Sequence, residues 1–107
     1  MNLWKYYDGD LKYPDLNNHS YEIEIAKANP KWAYLYVERN GKNKDLESII
    51  AKDVYYSYHY ALDILEGPFK LGEPEIAKEE FFSKRYTQEV LKKDFILNGK
   101  LICKYES

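Results

Sequence analysis

Apolar residues recur at helical spacing over residues 53–66, where one face carries positions 56, 57, 60, 61, 64 and 65. Asp53 stands where a side chain can cap the start of this helix. Gly67 and Pro68 follow its last apolar position. Because glycine supplies the left-handed cap and proline cannot continue a helix, the pattern predicts a long helix that ends at Gly67.

The residues after this stop predict a turn and a second, shorter helix. Phe69 and Leu71 are expected to pack back against the core. The short helix is predicted to begin after Gly72, because Pro74 then falls in its first turn, where a missing backbone N–H costs nothing. Residues 50–78 therefore predict one unit of a long helix, a turn and a short helix.

The same unit recurs along the chain at a nearly constant interval. The tripeptide Ile-Ala-Lys begins at positions 25, 50 and 76, and Ile-Cys-Lys begins at position 102. The shift that carries position 50 onto position 76, which we call the repeat interval, also places Tyr60 over Tyr86 and Phe69 over Phe95. A unit of this length cannot bury its own apolar face, so neighbouring units must stack.

The first copy is irregular but carries the same signals. Pro30 at a first helical position and Gly41 past the end bracket a predicted helix over about 31–40. With one residue inserted near Pro30, Tyr36 overlies Tyr60 and Tyr86. These three tyrosines are one core position in three copies.

We therefore predict an all-α fold, a short solenoid-like stack of helical repeats. It forms a single domain over residues 1–107, with an N-terminal cap (1–24), three repeats (25–49, 50–75 and 76–101) and a partial repeat or tail (102–107).

Residues 95–105 carry a conflicting local signal. Two apolar runs flank Asn98-Gly99, the dipeptide typical of a β-hairpin turn. The repeat register places that dipeptide in a loop between helices instead, and we favour this helical register because the apolar residues of the segment keep their matched positions. Residues 21–25 also alternate like a strand, which leaves a small two-stranded element between the chain ends as an alternative.

Composition narrows the classes of protein. Twelve Tyr with 4 Phe and 2 Trp make 17% of the 107 residues aromatic, and 16 basic against 18 acidic residues give a net charge of −2. The single cysteine excludes an intrachain disulfide and a cysteine-based zinc site. The sequence lacks an apolar leader and any run of about 18 apolar residues, so we expect a cytoplasmic protein.

Residues 50–78 resemble a tyrosine-rich repeat of bacteriophage proteins, whose units follow the pattern Ala-x-Asp-x-x-Tyr-x-Tyr-x-Tyr-Ala-x-x-Val-Leu-x-Gly-x-Phe-x-x-Gly-Glu. The resemblance is specific over 50–78, fair over 25–49 and 79–104, and weak before residue 17. It implies a phage-encoded helical-repeat protein. That family has no assigned activity, so the resemblance brings no catalytic residue.

Candidate chemistry is sparse. His59 could reach Tyr56 or Asp63 on its own helix, but the spacing places no nucleophile beside it, and its counterpart Arg85 indicates a solvated helix position. Acidic pairs such as Glu73 and Glu75 are typical of helix starts and turns. We therefore predict a protein that is not an enzyme, with no catalytic residue, metal or cofactor.

A chain of this size cannot enclose all of its aromatic rings, and exposed rings make good anchors in protein interfaces. Some rings are not assigned to the core by the repeat, and polar residues lie near them in the sequence. From these we predict the binding residues Trp32, Tyr34, Tyr55, Tyr58, His59, Lys84 and Arg85. The leading hypothesis is a protein–protein interaction module that inhibits a host factor, for example a CRISPR or other defence protein.

The alternative is a nucleic-acid-binding module. Residues 76–107 carry a net charge of +2 and concentrate Lys84, Arg85, Lys92 and Lys93 on and after one helix, although acidic residues are interleaved. The oligomeric state is left open, and no membrane contact is expected.

Overall fold

The computed structural model describes the backbone of residues 19–106 and the side chains of residues 23–106. Most of the predicted N-terminal cap, residues 1–18, lies outside this range. The first part is helical: α1 (His19–Ala26), α2 (Pro30–Asn40), α3 (Lys44–Ile50), and α4 (Val54–His59) with a π-helical continuation (Tyr60–Leu65). The rest comprises a 3₁₀ turn (Lys70–Gly72), α5 (Glu73–Ile76), α6 (Glu80–Arg85) with a π-helical continuation (Tyr86–Leu91), β1 (Phe95–Leu97) and β2 (Lys100–Cys103).

The helix starts follow from their capping residues. Asn29 Oδ1 accepts the Trp32 backbone N–H at 2.9 Å, and Asp53 Oδ1 accepts that of Tyr56 at 2.9 Å. Pro30 opens α2, and the Gly41 N–H donates to the Val37 carbonyl at the other end at 2.8 Å. The predicted helix over 31–40, the cap at Asp53 and the short helix after Gly72 are confirmed.

The end of the long helix differs from the prediction. The residue in the left-handed conformation is Glu66 (φ 53°), not Gly67, and its counterpart one repeat interval later is Lys92 (φ 55°). In both places the last turn is a π-helix, and the N–H of the left-handed residue donates to the carbonyl five residues earlier, Ala61 or Thr87. The left-handed cap therefore falls one residue earlier than the sequence predicts, and it falls on a residue other than glycine in both places.

Several contacts recur at the repeat interval. A serine hydroxyl donates to a carbonyl seven residues earlier, and a tyrosine ring packs on a phenylalanine ring nine residues later. The pairs are Ser57–Ile50 (3.1 Å) and Ser83–Ile76 (2.9 Å), and, by ring centroids, Tyr60–Phe69 (4.8 Å) and Tyr86–Phe95 (5.1 Å).

Residues 95–103 form a hairpin, so the helical register favoured from the sequence is wrong there. β1 and β2 pair antiparallel, with Ile96 opposite Leu101 and Leu97 opposite Lys100. Asn98 (φ 54°) and Gly99 (φ 78°) both take the positive φ that a tight two-residue turn requires. Phe95 keeps its buried place against Tyr86, because a strand can hold that ring as well as the predicted turn.

The alternative of a strand over residues 21–25, paired with the other end of the chain, is also wrong, because these residues belong to α1. The fold of the described residues is thus mostly helical with one small two-stranded sheet.

The core is rich in tyrosine, as the repeat predicts. Tyr36, Tyr60 and Tyr86 are all buried, and Phe69 packs back onto the Tyr60 ring, whereas Leu71 is exposed, contrary to expectation. Aliphatic side chains fill the spaces between the rings: Val37, Leu46, Ile50 and Ile76.

The tyrosine hydroxyls in the core are paired with carboxyl groups. The Tyr86 hydroxyl donates to Glu73 Oε2 at 2.6 Å and accepts the Phe69 backbone N–H at 2.9 Å. The Tyr60 hydroxyl donates to Glu47 Oε2 at 2.8 Å in the same way. Glu73 is only 2% exposed, whereas Glu47 is partly open to water. The two hydrogen bonds are therefore geometrically alike and differ in burial.

This difference predicts unequal costs for removing each hydroxyl. We expect Tyr86→Phe to lower the free energy of unfolding by about 2–3 kcal/mol, because it leaves the Phe69 N–H without a partner and takes the only hydrogen bond shown for the buried Glu73 carboxyl, which keeps the Lys70 ammonium at 3.8 Å. The matched variant Tyr60→Phe should cost only about 1 kcal/mol, since water can reach Glu47. Urea unfolding measures both, and equal costs would contradict the role of burial.

Gly72 gives a second prediction. A Cβ atom at this buried glycine would lie 2.6 Å from Ser57 Oγ and 2.7 Å from Phe69 Cδ2. We expect Gly72→Ala to destabilise the protein by about 1–3 kcal/mol through this overlap. Gly67→Ala is the control, because its Cβ would meet only the Leu65 carbonyl oxygen, at 3.9 Å. A thermal melt in which Gly72→Ala matches Gly67→Ala would show that the helices do not pack this closely.

Candidate functional site

Three of the predicted binding residues lie together with two further rings on α4 and α6. The Tyr55 and His59 rings are 4.4 Å apart, and Tyr55 meets Phe82 edge to face at 6.1 Å. The Arg85 guanidinium carbon lies 5.6 Å from the centre of the Phe81 ring. We call these five residues, Tyr55, His59, Phe81, Phe82 and Arg85, the aromatic surface.

Tyr55 and Phe81 are the most open rings of this surface, at 48% and 62% exposure. Each is the second residue of its helix, Tyr55 in α4 and Phe81 in α6. Four residues later, on the same face, come His59 and Arg85 respectively. Each helix thus presents an aromatic ring with a nitrogen-containing side chain beside it.

Phe81 and Phe82 were missed as surface residues in the sequence. The signal that could have found Phe81 is the repeat register, which pairs it with Tyr55. The π-face of Phe81 carries the Arg85 guanidinium, which also stands 6.0 Å from the Tyr58 ring. Exposed ring and cation therefore form one contiguous patch.

Three of the predicted anchors are not on the surface. Trp32, Tyr34 and Tyr58 are buried, so the expectation of exposed rings at these positions is corrected. The Tyr58 hydroxyl donates to Glu89 Oε1 at 2.8 Å, and the Tyr34 hydroxyl approaches Asp63 Oδ2 at 3.4 Å. Because these carboxylates come from the following long helix, both tyrosines are held between helices.

Arg85 and His59 of the aromatic surface each contact an acidic side chain on their own helical segment. Arg85 contacts Glu89 Oε2 at 3.0 Å through its terminal nitrogen and donates from Nε to the Tyr58 hydroxyl at 3.4 Å. His59 Nδ1 lies 3.3 Å from Asp63 Oδ2. Lys84, next to Arg85 in sequence, is exposed and lines a separate cleft. Of the four basic residues named for the nucleic-acid alternative, Arg85 is thus held within the fold, whereas Lys84, Lys92 and Lys93 are exposed.

Comparisons with known proteins do not assign this surface. No protein-family model, curated protein or solved structure matches the chain. Within the described range, no three or more His, Cys, Asp or Glu side chains group so that they could hold a metal ion, and no helix is long and apolar enough to cross a membrane. The contacts of the aromatic surface are therefore the basis for inferring a function.

The inter-helix tyrosines predict a loss of stability at alkaline pH. Burial, first of all, raises the pKa of Tyr34, Tyr58 and Tyr86 above the value of about 10 that tyrosine has in an unfolded chain. Below about pH 10 both states are protonated and stability is complete, whereas above it only the unfolded chain ionises, so stability falls as pH rises.

We therefore expect a lower urea midpoint at about pH 11 than at about pH 8, with tyrosinate absorbance from these hydroxyls appearing only as the protein unfolds. Tyr58→Phe removes one of these ionisable groups, so its urea midpoint should fall less between the two pH values than that of the wild-type protein. A midpoint that is flat through this range would mean that the hydroxyls are accessible to base in the folded state.

Proposed function

We propose that this protein is a non-enzymatic interaction module that binds a partner protein through the aromatic surface. The observation that supports this most directly is the exposure of Tyr55 and Phe81 on adjacent helices, 48% and 62%, whereas most other aromatic rings among residues 23–106 are buried. Rigid aromatic side chains lose little conformational freedom on binding, and aromatic and arginine residues dominate the energetics of protein interfaces.

The scaffold that we propose for this surface is a short, solenoid-like stack of helical repeats. Contacts that recur after one repeat interval support it, among them the serine and tyrosine contacts of residues 57 and 60, which return at residues 83 and 86. Successive units of such a stack present equivalent positions in a row, as Tyr55 and Phe81 do. A row of rings at a fixed spacing suits a macromolecular partner better than a small molecule.

The resemblance of residues 50–78 to bacteriophage repeats favours a bacterial partner. We infer a phage-encoded protein that acts in the host cytoplasm by covering a host factor, such as a component of a CRISPR or other defence system. Inhibition of this kind needs only a tight and well-placed contact.

The test is affinity capture with crosslinking from bacterial lysate, using the full chain and two matched double variants. Tyr55→Ser with Phe81→Ser should lower partner recovery about 10–100-fold, because it truncates two aromatic anchors. The control is Ile96→Ser with Leu101→Ser. These two side chains are about as exposed as Tyr55 and Phe81, at 54% and 53%, but they lie on the hairpin and not on the aromatic surface, so recovery should be unchanged. Urea unfolding checks that both variants remain folded.

Two results would contradict the proposal. One is full recovery of the partner by the folded Tyr55→Ser, Phe81→Ser chain, which would remove the aromatic surface from the interface. The other is turnover of a substrate by the purified wild-type chain at a rate that these substitutions do not affect.

A further inference from the structure

The hairpin of β1 and β2 carries backbone groups on its outer edges that no other described residue pairs. Leu97 and Lys100 close the two-residue turn, and in such a hairpin this pair exchanges both of its hydrogen bonds. The N–H and C=O groups of the next pair, Ile96 and Leu101, therefore point away from the partner strand. Outside the hairpin, no described residue forms a hydrogen bond with the backbone of either.

The outer edge of β1 borders a cleft of about 390 Å³. The apolar part of its lining comes from Leu91, which ends the preceding helical segment, and from Phe95 and Ile96 of β1. The charged part is balanced, with two lysines against two acidic residues. The cleft therefore suits an apolar side chain that lies beside the edge of β1.

The hairpin and the residues that flank it are rich in exposed lysines. Residues 92–106 carry four lysines against two acidic residues, whereas the whole chain has a net charge of −2. The four are Lys92, Lys93, Lys100 and Lys104, and all are exposed. None of them forms an ion pair with another described residue. Unpaired cations of this kind favour an acidic ligand.

We propose that β1 takes up an extended segment of another protein as a third strand, one in which acidic and apolar residues alternate. The backbone of that segment pairs with the outward N–H and C=O groups of Ile96. Because successive side chains of a strand point to opposite sides, an apolar side chain can enter the cleft while the acidic side chains meet the flanking lysines.

The free edge is what favours a peptide over other anionic partners. An extended backbone supplies donors and acceptors that match a strand edge, whereas a lipid surface or a nucleic acid would engage the lysines and leave that edge unpaired. A second copy of this chain is disfavoured, because its hairpin brings the same four lysines to the contact and like charges repel.

The test measures the binding of synthetic peptides to the full chain by fluorescence anisotropy. The acidic probe is a labelled Glu-Val-Glu-Val-Glu-Val-Glu peptide, and a basic peptide has lysine in place of every glutamate. A third peptide has the acidic sequence with N-methyl groups on its interior amides, which removes the backbone donors of both edges. We expect the acidic probe to bind at least about tenfold more tightly than either of the others.

Two matched proline variants identify the edge. Ile96→Pro removes the outward N–H of β1, and Leu101→Pro removes that of β2. Neither N–H belongs to the ladder of the hairpin, and an edge strand tolerates proline at such a position. We expect Ile96→Pro to weaken binding of the acidic probe at least about tenfold and Leu101→Pro to leave it unchanged. Urea unfolding checks that both variants remain folded.

A pair of charge variants tests the lysines. Lys93→Glu with Lys100→Glu should abolish the preference for the acidic over the basic peptide. Lys42→Glu with Lys52→Glu, an equal charge change at exposed lysines outside residues 92–106, should preserve it.

Five results would overturn the inference. Three come from the peptides: equal affinity for the acidic and the basic sequence, full affinity of the N-methylated peptide, or full affinity of folded Ile96→Pro for the acidic probe. The fourth is sedimentation showing wild-type self-association that Ile96→Pro abolishes, which would make a second copy the occupant. The fifth is lysine-dependent binding of phosphatidylserine vesicles or single-stranded DNA in place of the peptide.

The strand site is independent of the proposed function, because Ile96 lies on the hairpin whereas Tyr55 and Phe81 lie on α4 and α6. Tyr55→Ser with Phe81→Ser should leave the affinity for the acidic probe unchanged. Capture from lysate that depends on those two rings, together with no peptide binding, sustains the aromatic surface and rejects the strand site. Peptide binding that Ile96→Pro abolishes, together with capture indifferent to the two rings, does the reverse.

Discussion

Hydrogen bonds from tyrosine hydroxyls to carboxyl groups connect the helices of this chain to one another. Two of these bonds, Tyr60–Glu47 and Tyr86–Glu73, join a long helix to the short helix that precedes it. Two contacts of the same kind, Tyr34–Asp63 and Tyr58–Glu89, join a long helix to the next long helix. A small domain gains much of its apolar burial from rings that each carry one polar atom, and that atom needs a partner inside. The rings therefore set both the packing and its register.

Local chemistry explains which parts of the fold were predictable. Helix starts and the buried helix face depend on residues close together in the sequence, so they can be predicted from it. Examples are the capping side chains, Pro30 and the apolar face of residues 53–66. The π-helical turns and the left-handed Glu66 were not, since nothing in the residues of that turn distinguishes it from a regular α-helix. At Asn98-Gly99 two readable signals disagreed, and the turn preference of that dipeptide prevailed over the repeat register.

The candidate site was only partly predictable for a different reason. Tyr55 and Tyr58 look equivalent in the sequence, as two tyrosines on one helix, yet one is exposed and the other is buried. The two tyrosines differ in their contacts, because the Tyr58 hydroxyl donates a hydrogen bond to Glu89, a residue far along the chain. Such long-range pairing has no signature in composition or periodicity. Phe81 was within reach, because its counterpart Tyr55 was already a candidate.

Each copy of the unit carries both a tyrosine donor and a carboxylate acceptor. A copy in which the tyrosine is replaced therefore marks the end of the tyrosine–carboxylate pairing between long helices. At the position of Tyr34 and Tyr58 the third copy has Lys84, and the described chain continues from α6 into a hairpin. A lysine is well hydrated and costs little when exposed, so it suits the last helix of the described chain. Phe81 on the same helix differs from this lysine, because an apolar ring that is 62% exposed gains no free energy from contact with water. The third copy therefore keeps the exposed ring of the unit and replaces its buried tyrosine donor with an exposed cation.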